Sequence, residues 1–293
     1  MQTPQRIGWI GTGVMGLPMA GHLMDAGHQL TVHSRTRTRA QPLLDRGAAW
    51  GESPAETAHA KDVVFSMVSM PADVEEVHLG KRGTLSATTP PSLLIDMTSS
   101  RPLLARTISE VAHDRGVAAL DAPVTGGDVG ARNATLSILV GGSVEAFERA
   151  LPLLQLLGKT IVRQGGAGCG QQAKVANQIL IASTMIGVCE ALQFAKAAGL
   201  DETTLLESVS AGAAGSWSLA NLAPRIVRGE FGPGFFVDHF VKDLAIALEE
   251  CRASGLQLPG LALAEKLYRM AQDGGLGDRG THGLYLLYER GCV

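Results

Sequence analysis

The sequence predicts an α/β chain: a Rossmann-type doubly wound parallel sheet followed by an all-α C-terminal domain. From residue 6 to about 164, short apolar runs alternate with stretches of helical spacing, the pattern of a parallel sheet wound with helices. The runs are rich in Val, Ile and Leu, as expected of strands covered on both faces. Beyond residue 165 the strands stop and helical periodicity continues to the end. The change of period near Gly165 and Gly166 sets the expected domains at residues 1–164 and 165–293.

In chain order the expected strands lie in RIGWIG, LTVHS, DVVFSMVS, SLLIDMTS, VAALDAPV, TLSILVGG and TIVRQ. Segments such as PADVEEVH and RPLLARTISEVAHDRG supply the helices between them. The second half opens on about thirty residues of nearly continuous helix, on the order of 45 Å long, stopped by Gly199. Further helices are expected in DETTLLESVSAG, VDHFVKDLAIALEECRASG, LPGLALAEKLYRMAQDGG and THGLYLLYER.

Composition narrows the function classes. A length of 293 residues accommodates two ordinary domains, and 45% hydrophobic against 18% charged residues describes a globular chain. A net charge of -3 gives no support to nucleic-acid binding. Cys169, Cys189, Cys251 and Cys292 form no CxxC pair, which fits a reducing cytoplasm better than a disulfide framework or a zinc site. The N-terminus lacks the pattern of a secretion signal. The most apolar long stretch, residues 178–198, still carries Glu190, Gln193 and Lys196, so a membrane span is not expected. None of the eight histidines falls in HExxH or a comparable spacing, so no metal is expected, and no GxSxG suggests a hydrolase.

The first strand runs into Gly11, Thr12, Gly13, Val14, Met15 and Gly16, a GxGxxG turn between a strand and a helix. In that context Gly11 serves the tight turn, Gly13 the approach of a pyrophosphate, and Gly16 the packing of helix on sheet. The second strand ends at Ser34, Arg35 and Thr36, where an NAD site generally carries an acid for the ribose hydroxyls. No acid is present there. A guanidinium at Arg35, with hydroxyls at Ser34 and Thr36, matches a 2'-phosphate, so NADP is expected and NAD remains possible. Arg37 and Arg39 read more simply as a solvated basic turn.

Lys174 stands in an otherwise apolar, small-residue helix, with Asn177 and Gln178 three and four residues on, so the three share a face. Such a lysine is either a general acid toward a carbonyl oxygen or a snorkelling surface residue. As a base it would need its pKa lowered from about 10.4, by burial or by Lys242. In DAPVTGGDVGA, Thr125 with Gly126 and Gly127 forms either an anion-binding hollow for a substrate carboxylate or a plain glycine turn. Trp217 and Phe236 are either walls of the pocket or, more simply, core and are left out of the site, and His239 is not assigned as the acid.

DMTSS at 96–100, DAPVTGGDVGA at 121–131, GAGCGQQAKVANQ at 166–178 and FVDHFVKDLAIAL at 236–248 together resemble the β-hydroxyacid dehydrogenase family over essentially the whole chain. That family includes 3-hydroxyisobutyrate dehydrogenase, tartronate semialdehyde reductase and the glyoxylate/succinic semialdehyde reductases. The resemblance implies that Lys174, within Gly168, Gly170, Lys174 and Asn177 of the GxGxxxKxxN pattern, is the catalytic lysine. It places Thr98 and Ser99 near the nicotinamide and its ribose, and has Met70 and Pro71 pass by the cofactor. Lys242, read with Asp243 as opening a long helix, belongs to a KD signature near cofactor and substrate.

Two departures are visible. The family often has Asn-Asn where Asn177 and Gln178 stand, and commonly Ser where Thr125 stands. The expected reaction is hydride transfer between NADP(H) and a small β-hydroxyacid or its semialdehyde, in a cleft between the two domains. The resemblance also implies a homodimer or homotetramer assembled through the helical domain. An imine reductase of the same fold and a non-catalytic cofactor-binding module are the competing readings. Lys174 argues against the first, and the polar groups around it against the second.

Overall fold

The structure, a computed structural model, describes residues 3–232 and 234–292. Along the first part of the chain run β1 (Arg6–Ile10), α1 (Gly16–Asp25), β2 (Gln29–His33), α2 (Gln41–Leu44), β3 (Ala49–Trp50) and α3 (Pro54–Ala58). They are followed by β4 (Val63–Ser66), α4 (Pro71–Leu79), β5 (Leu93–Asp96), α5 (Pro102–His113), β6 (Ala118–Asp121) and β7 (Val124–Thr125). Then come α6 (Gly127–Arg132), β8 (Leu136–Gly141), α7 (Val144–Leu154), β9 (Gly158–Gly165) and the long α8 (Cys169–Ala197). The remainder is helical: α9 (Glu202–Val209), α10 (Trp217–Asn221), α11 (Ala223–Val227), α12 (Val237–Ala253), α13 (Pro259–Ala271) and α14 (Tyr285–Glu289), with short 3-10 and π turns between them.

The strands form one sheet in the order β3-β2-β1-β4-β5-β6-β8-β7, with β9 on β8. From β3 to β6 every pairing is parallel, with the order reversing at β1/β4, the switch point of a doubly wound sheet. Beyond β6 the sheet departs from the expected parallel pattern, because β8 runs antiparallel to both β6 and β7. The stretch VAALDAPV, expected as one strand, is two: Pro123 separates β6 from β7, having no N–H to give to a ladder. The core of this unit packs Ile7, Trp9, Phe65 and Ile95 under α1 and α7, with the Trp9 and Phe65 rings stacked at 5.4 Å.

Two compact units emerge, divided after Lys174, inside α8. This lies ten residues beyond the change of period at 164/165, because the first turn of α8 is bonded to β6. The second unit is built on the buried side of α8, where Met185, Cys189 and Leu192 join Phe240, Leu244 and Leu267 of α12 and α13. Phe240 meets Tyr268 edge-on at 4.7 Å, and the buried Tyr268 hydroxyl donates to Thr281 O at 2.9 Å. By length and composition α8 could cross a membrane, with mean hydropathy 1.5 in its most apolar window. On its other side Leu180 and Phe194 are each 70% exposed. The four cysteines are free thiols.

Candidate active site

The glycine turn after β1 has the shape that a dinucleotide requires. A Cβ at Gly11 would lie 2.1 Å from Met67 O and one at Gly16 2.0 Å from Gly11 O, so both positions are closed to any side chain. At Gly13 a Cβ would meet nothing within 4 Å among the described residues: the space over this backbone faces no protein. Trp9 Nε1 donates to Gly11 O at 2.8 Å and holds the turn from below. The first turn of α1 carries no acidic residue, which leaves its positive end available to an anion. Thr12 Oγ1 is buried with no hydrogen-bond partner among the described residues, and Val14 and Met70 present exposed apolar flanks. Pro71 opens α4 directly after Met70. An orphaned hydroxyl, a bare glycine backbone and a free helix end fit a nicotinamide dinucleotide.

At the end of β2, Ser34 is half-buried and Arg35 and Thr36 are exposed. The strand end itself carries no acid, but one reaches it from α4: Arg35 Nη1 pairs with Asp73 at 2.9 Å. Asp73 comes from 38 residues further along the chain, so no inspection of the strand end could find it. Arg37 lies over the Trp50 ring, 5.2 Å from its centroid, and 3.8 Å from Glu52, so it packs on protein as well as facing solvent.

The ends of β4, β5 and β6 form a polar shelf beside this turn. Ser66 Oγ donates to Asp96 Oδ1 at 2.7 Å, so His78 Nε2, 2.9 Å away, donates to Ser66 and His78 Nδ1 accepts from Thr84 Oγ1 at 2.9 Å. Burial pushes His78 down to about 4 and Asp96 up to about 6; Ser66 and Thr98 restrain the Asp96 shift, and neighbouring Asp121 adds to it. Thr98 Oγ1 accepts from Val68 N at 2.9 Å, which ties the segments after β4 and β5 together. Ser99 follows it, half-buried. Asp121, the Cα partner of Asp96, is likewise pushed up to about 6 by burial, opposed by backbone N–H groups of Gly168, Gln171 and Gly170.

Thr125 ends β7, and Gly126 and Gly127 follow at φ +125° and +62°, conformations that favour glycine. Asp128 in the same turn is neutralised by Arg132 at 2.7 Å. Within α8, Lys174 is 7% exposed, Gln178 is buried and Asn177 half-buried, all within one turn. Lys174 is thus an interior residue and not a surface one.

In the second unit Gln178 finds the partner that the sequence left open. Its Nε2 donates to Asp243 Oδ2 at 2.6 Å, and its Oε1 accepts from Asn177 Nδ2 at 2.8 Å. Lys242 Nζ stands 2.9 Å from Asp243 Oδ1. Helix α12 begins at Val237, so Lys242 and Asp243 sit in its second turn and do not open it. His239, one turn before Asp243, lies between the Phe235 and Phe236 rings, its pKa lowered by burial and then by Lys242. Trp217 is exposed at the start of α10, not in the core. Asp73, Asp121 and Gln171 are the contributors that the sequence reading did not single out.

Fold and turn together define a nicotinamide-dependent oxidoreductase. The family model for the NAD binding domain of 6-phosphogluconate dehydrogenase matches residues 6–166. That for the NAD-binding of NADP-dependent 3-hydroxyisobutyrate dehydrogenase matches residues 168–288. The chain is 50% identical over 286 residues to the probable 3-hydroxyisobutyrate dehydrogenase-like 1, mitochondrial, of Arabidopsis thaliana, covering 97% of this chain and 85% of that one. It is 41% identical over 271 residues to 2-hydroxy-3-oxopropionate reductase of Escherichia coli, covering 92% of each. The solved 3-hydroxyisobutyrate dehydrogenase of Mycobacterium tuberculosis with L-serine superposes with a TM-score of 0.87 at 30% identity, over 98% of this chain and 99% of that one. The chain belongs to the β-hydroxyacid dehydrogenase family. It is an NAD(P)-dependent, 3-hydroxyisobutyrate dehydrogenase-like oxidoreductase.

Proposed function

We propose that the chain moves a hydride between NADP(H) and a small β-hydroxyacid or its semialdehyde, with Lys174 as general acid in reduction and general base in oxidation. The observation that carries this reading is the burial of Lys174 in a helix whose first turn is bonded to the ends of β5 and β6. A buried ammonium is held by polar partners, and one fixed beside the strand ends is placed to give and take a proton. The bound cofactor supplies or accepts the hydride. Lys174 Nζ delivers a proton to the carbonyl oxygen as that oxygen gains charge, and in the reverse direction takes the hydroxyl proton. Thr125 and the backbone of Gly126 and Gly127 receive the substrate carboxylate. Asn177 orients the reacting oxygen, and Gln178 holds Asn177 through the Asp243 contact.

Gly11 to Met15 take the pyrophosphate, with Thr98, Ser99, Met70 and Pro71 toward the nicotinamide side. Lys242 adds positive charge for a phosphate or carboxylate. Arg35, flanked by Ser34 and Thr36, takes a 2'-phosphate. Its pair with Asp73 leaves the guanidinium largely exposed, and a pair of that kind is worth about 0–1 kcal/mol, so a phosphate can share or displace it. The exposed Leu180 and Phe194 on α8 support assembly into a homo-oligomer through the helical domain.

The test follows absorbance for NADPH oxidation with glyoxylate, succinic semialdehyde, methylmalonate semialdehyde and tartronate semialdehyde, and for NADP+ reduction with L-serine and 3-hydroxyisobutyrate. Turnover with at least one small carboxylate-bearing substrate is expected. Tight NADPH binding with no turnover on any of them would overturn the reading in favour of a non-catalytic module.

A further inference from the structure

The two motifs DAPVTGGDVGA and GAGCGQQAKVANQ meet at one carboxylate. Asp121 Oδ1 accepts the Gly168 N–H at 2.8 Å and its Oδ2 accepts the Gln171 N–H at 2.8 Å, across 47 and 50 residues of chain. Helix ends are ordinarily satisfied by a neighbouring side chain, as Ser53 does for α3 and Ser143 for α7. For α8 a buried charge reaches over from β6 and faces the positive end of a 29-residue helix.

Gln171 is gripped a second time. Its buried side chain accepts from Ser100 N at 2.8 Å and donates to Thr98 O at 2.7 Å, so both ends of the amide are satisfied by the backbone following β5. Between these anchors the helix start is pressed flat. A Cβ on Gly170 would lie 2.5 Å from both Asp121 O and Leu139 O. Lys174 follows Gln171 by three residues and Gly170 by four, so it stands directly over the anchored turn.

We propose that Asp121 and Gln171 are positioning residues for Lys174: together they fix the first turn of α8 against the ends of β5 and β6, and so set where the lysine ammonium meets the reacting oxygen. This rests on the reading of Lys174 as the proton donor. A displacement of about 1 Å in a catalytic group costs about 10²-fold in rate, and the anchored turn resists both fraying and axial slip of the helix. The carboxylate supplies two charge-assisted bonds at once, which a neutral side chain of the same size does not.

The experiment compares Asp121→Asn, Gln171→Met, Lys174→Ala and the double variant Asp121→Asn/Lys174→Ala in the full chain, with NADPH and the fastest substrate of the panel above. Asp121→Asn and Gln171→Met are expected to lower kcat at least 10-fold while substrate KM and NADPH affinity stay within twofold. In the Lys174→Ala background, Asp121→Asn is expected to leave the residual kcat unchanged within twofold, because its effect passes through the lysine. Amide hydrogen exchange at residues 168–174 should accelerate at least 10-fold in both single variants. Should Asp121→Asn fail to fold, Gln171→Met and its double with Lys174→Ala carry the same comparison.

Equal losses in both backgrounds, or a parallel loss of NADPH affinity, would show a merely structural role and overturn the inference. A dead Lys174→Ala beside fully active Asp121→Asn and Gln171→Met would overturn the inference alone. A fully active Lys174→Ala would overturn the proton-donor reading and the inference with it.

Discussion

Gln178 of α8 donates its side-chain amide to Asp243 of α12 at 2.6 Å, and Lys242 completes the cluster at 2.9 Å from the other carboxylate oxygen. Both members of the ion pair are almost wholly buried, so the pairing offsets part of the desolvation of each. Removing one partner of such a pair costs about 3–5 kcal/mol, mainly because the remaining charge is left uncompensated. Asp243→Ala should therefore lower stability in chemical denaturation by about that amount. Asp243→Asn, which keeps an acceptor for Gln178, should cost less. Wild-type stability in Asp243→Ala would mean that the cluster is not a structural element of the second unit.

The glycine turn separates two effects that are usually entangled. A methyl group at Gly13 meets open space, whereas one at Gly16 collides with Gly11 O. Gly13→Ala should unfold at the wild-type temperature yet bind NADPH at least 10-fold more weakly. Gly16→Ala should lose stability as well, since backbone must move to admit the new carbon. Unchanged NADPH affinity in Gly13→Ala would place the pyrophosphate elsewhere.

Arg35 and Asp73 make cofactor choice a question of competition. Arg35→Asp should weaken NADPH by about 10- to 100-fold, corresponding to about 1.5–3 kcal/mol for bonds to a charged group, and change NADH little. Asp73→Asn frees the guanidinium and should strengthen NADPH by up to about fivefold, the worth of an exposed pair. Equal effects of Arg35→Asp on the two cofactors, measured by fluorescence titration, would remove the 2'-phosphate assignment.

His78 should make stability sensitive to acid. Its folded pKa of about 4 lies below the ordinary 6.5, so the unfolded chain binds the extra proton between these values. Its contribution is intact above pH 6.5 and lost as pH falls toward 4, on the order of 3 kcal/mol in all. Asp96 and Asp121, pushed up to about 6 from 3.8, act oppositely: they favour the fold at low pH, and that contribution is lost as pH rises through about 4 to 6. The informative quantity is consequently the stability difference between the wild type and His78→Gln, which should shrink steadily as pH falls from 6.5 to 4. A pH-independent difference would contradict a neutral, buried His78.

What the sequence revealed was what is local. The turn from Gly11 to Gly16, the thirty-residue helix and the face shared by Lys174, Asn177 and Gln178 are all written within a few turns of chain. The contacts that hold the candidate residues within each unit join distant segments: Arg35 to Asp73 across 38 residues, Asp121 to Gln171 across 50 and Gln178 to Asp243 across 65. No periodicity encodes such pairings. VAALDAPV reads as one strand although Pro123 divides it, and whether β8 runs parallel or antiparallel depends on its partners in the sheet. The short helices α10 and α11, five residues each, were too brief to show a period.

The central claim is that the Lys174 ammonium hands over the proton that completes the reduction, and single-turnover kinetics of Lys174→Ala test it most directly. With NADPH affinity within twofold of wild type, hydride transfer to the best substrate should slow by about 10²- to 10⁴-fold, the range for a lost general acid. Hydride transfer at the wild-type rate in that variant would contradict it.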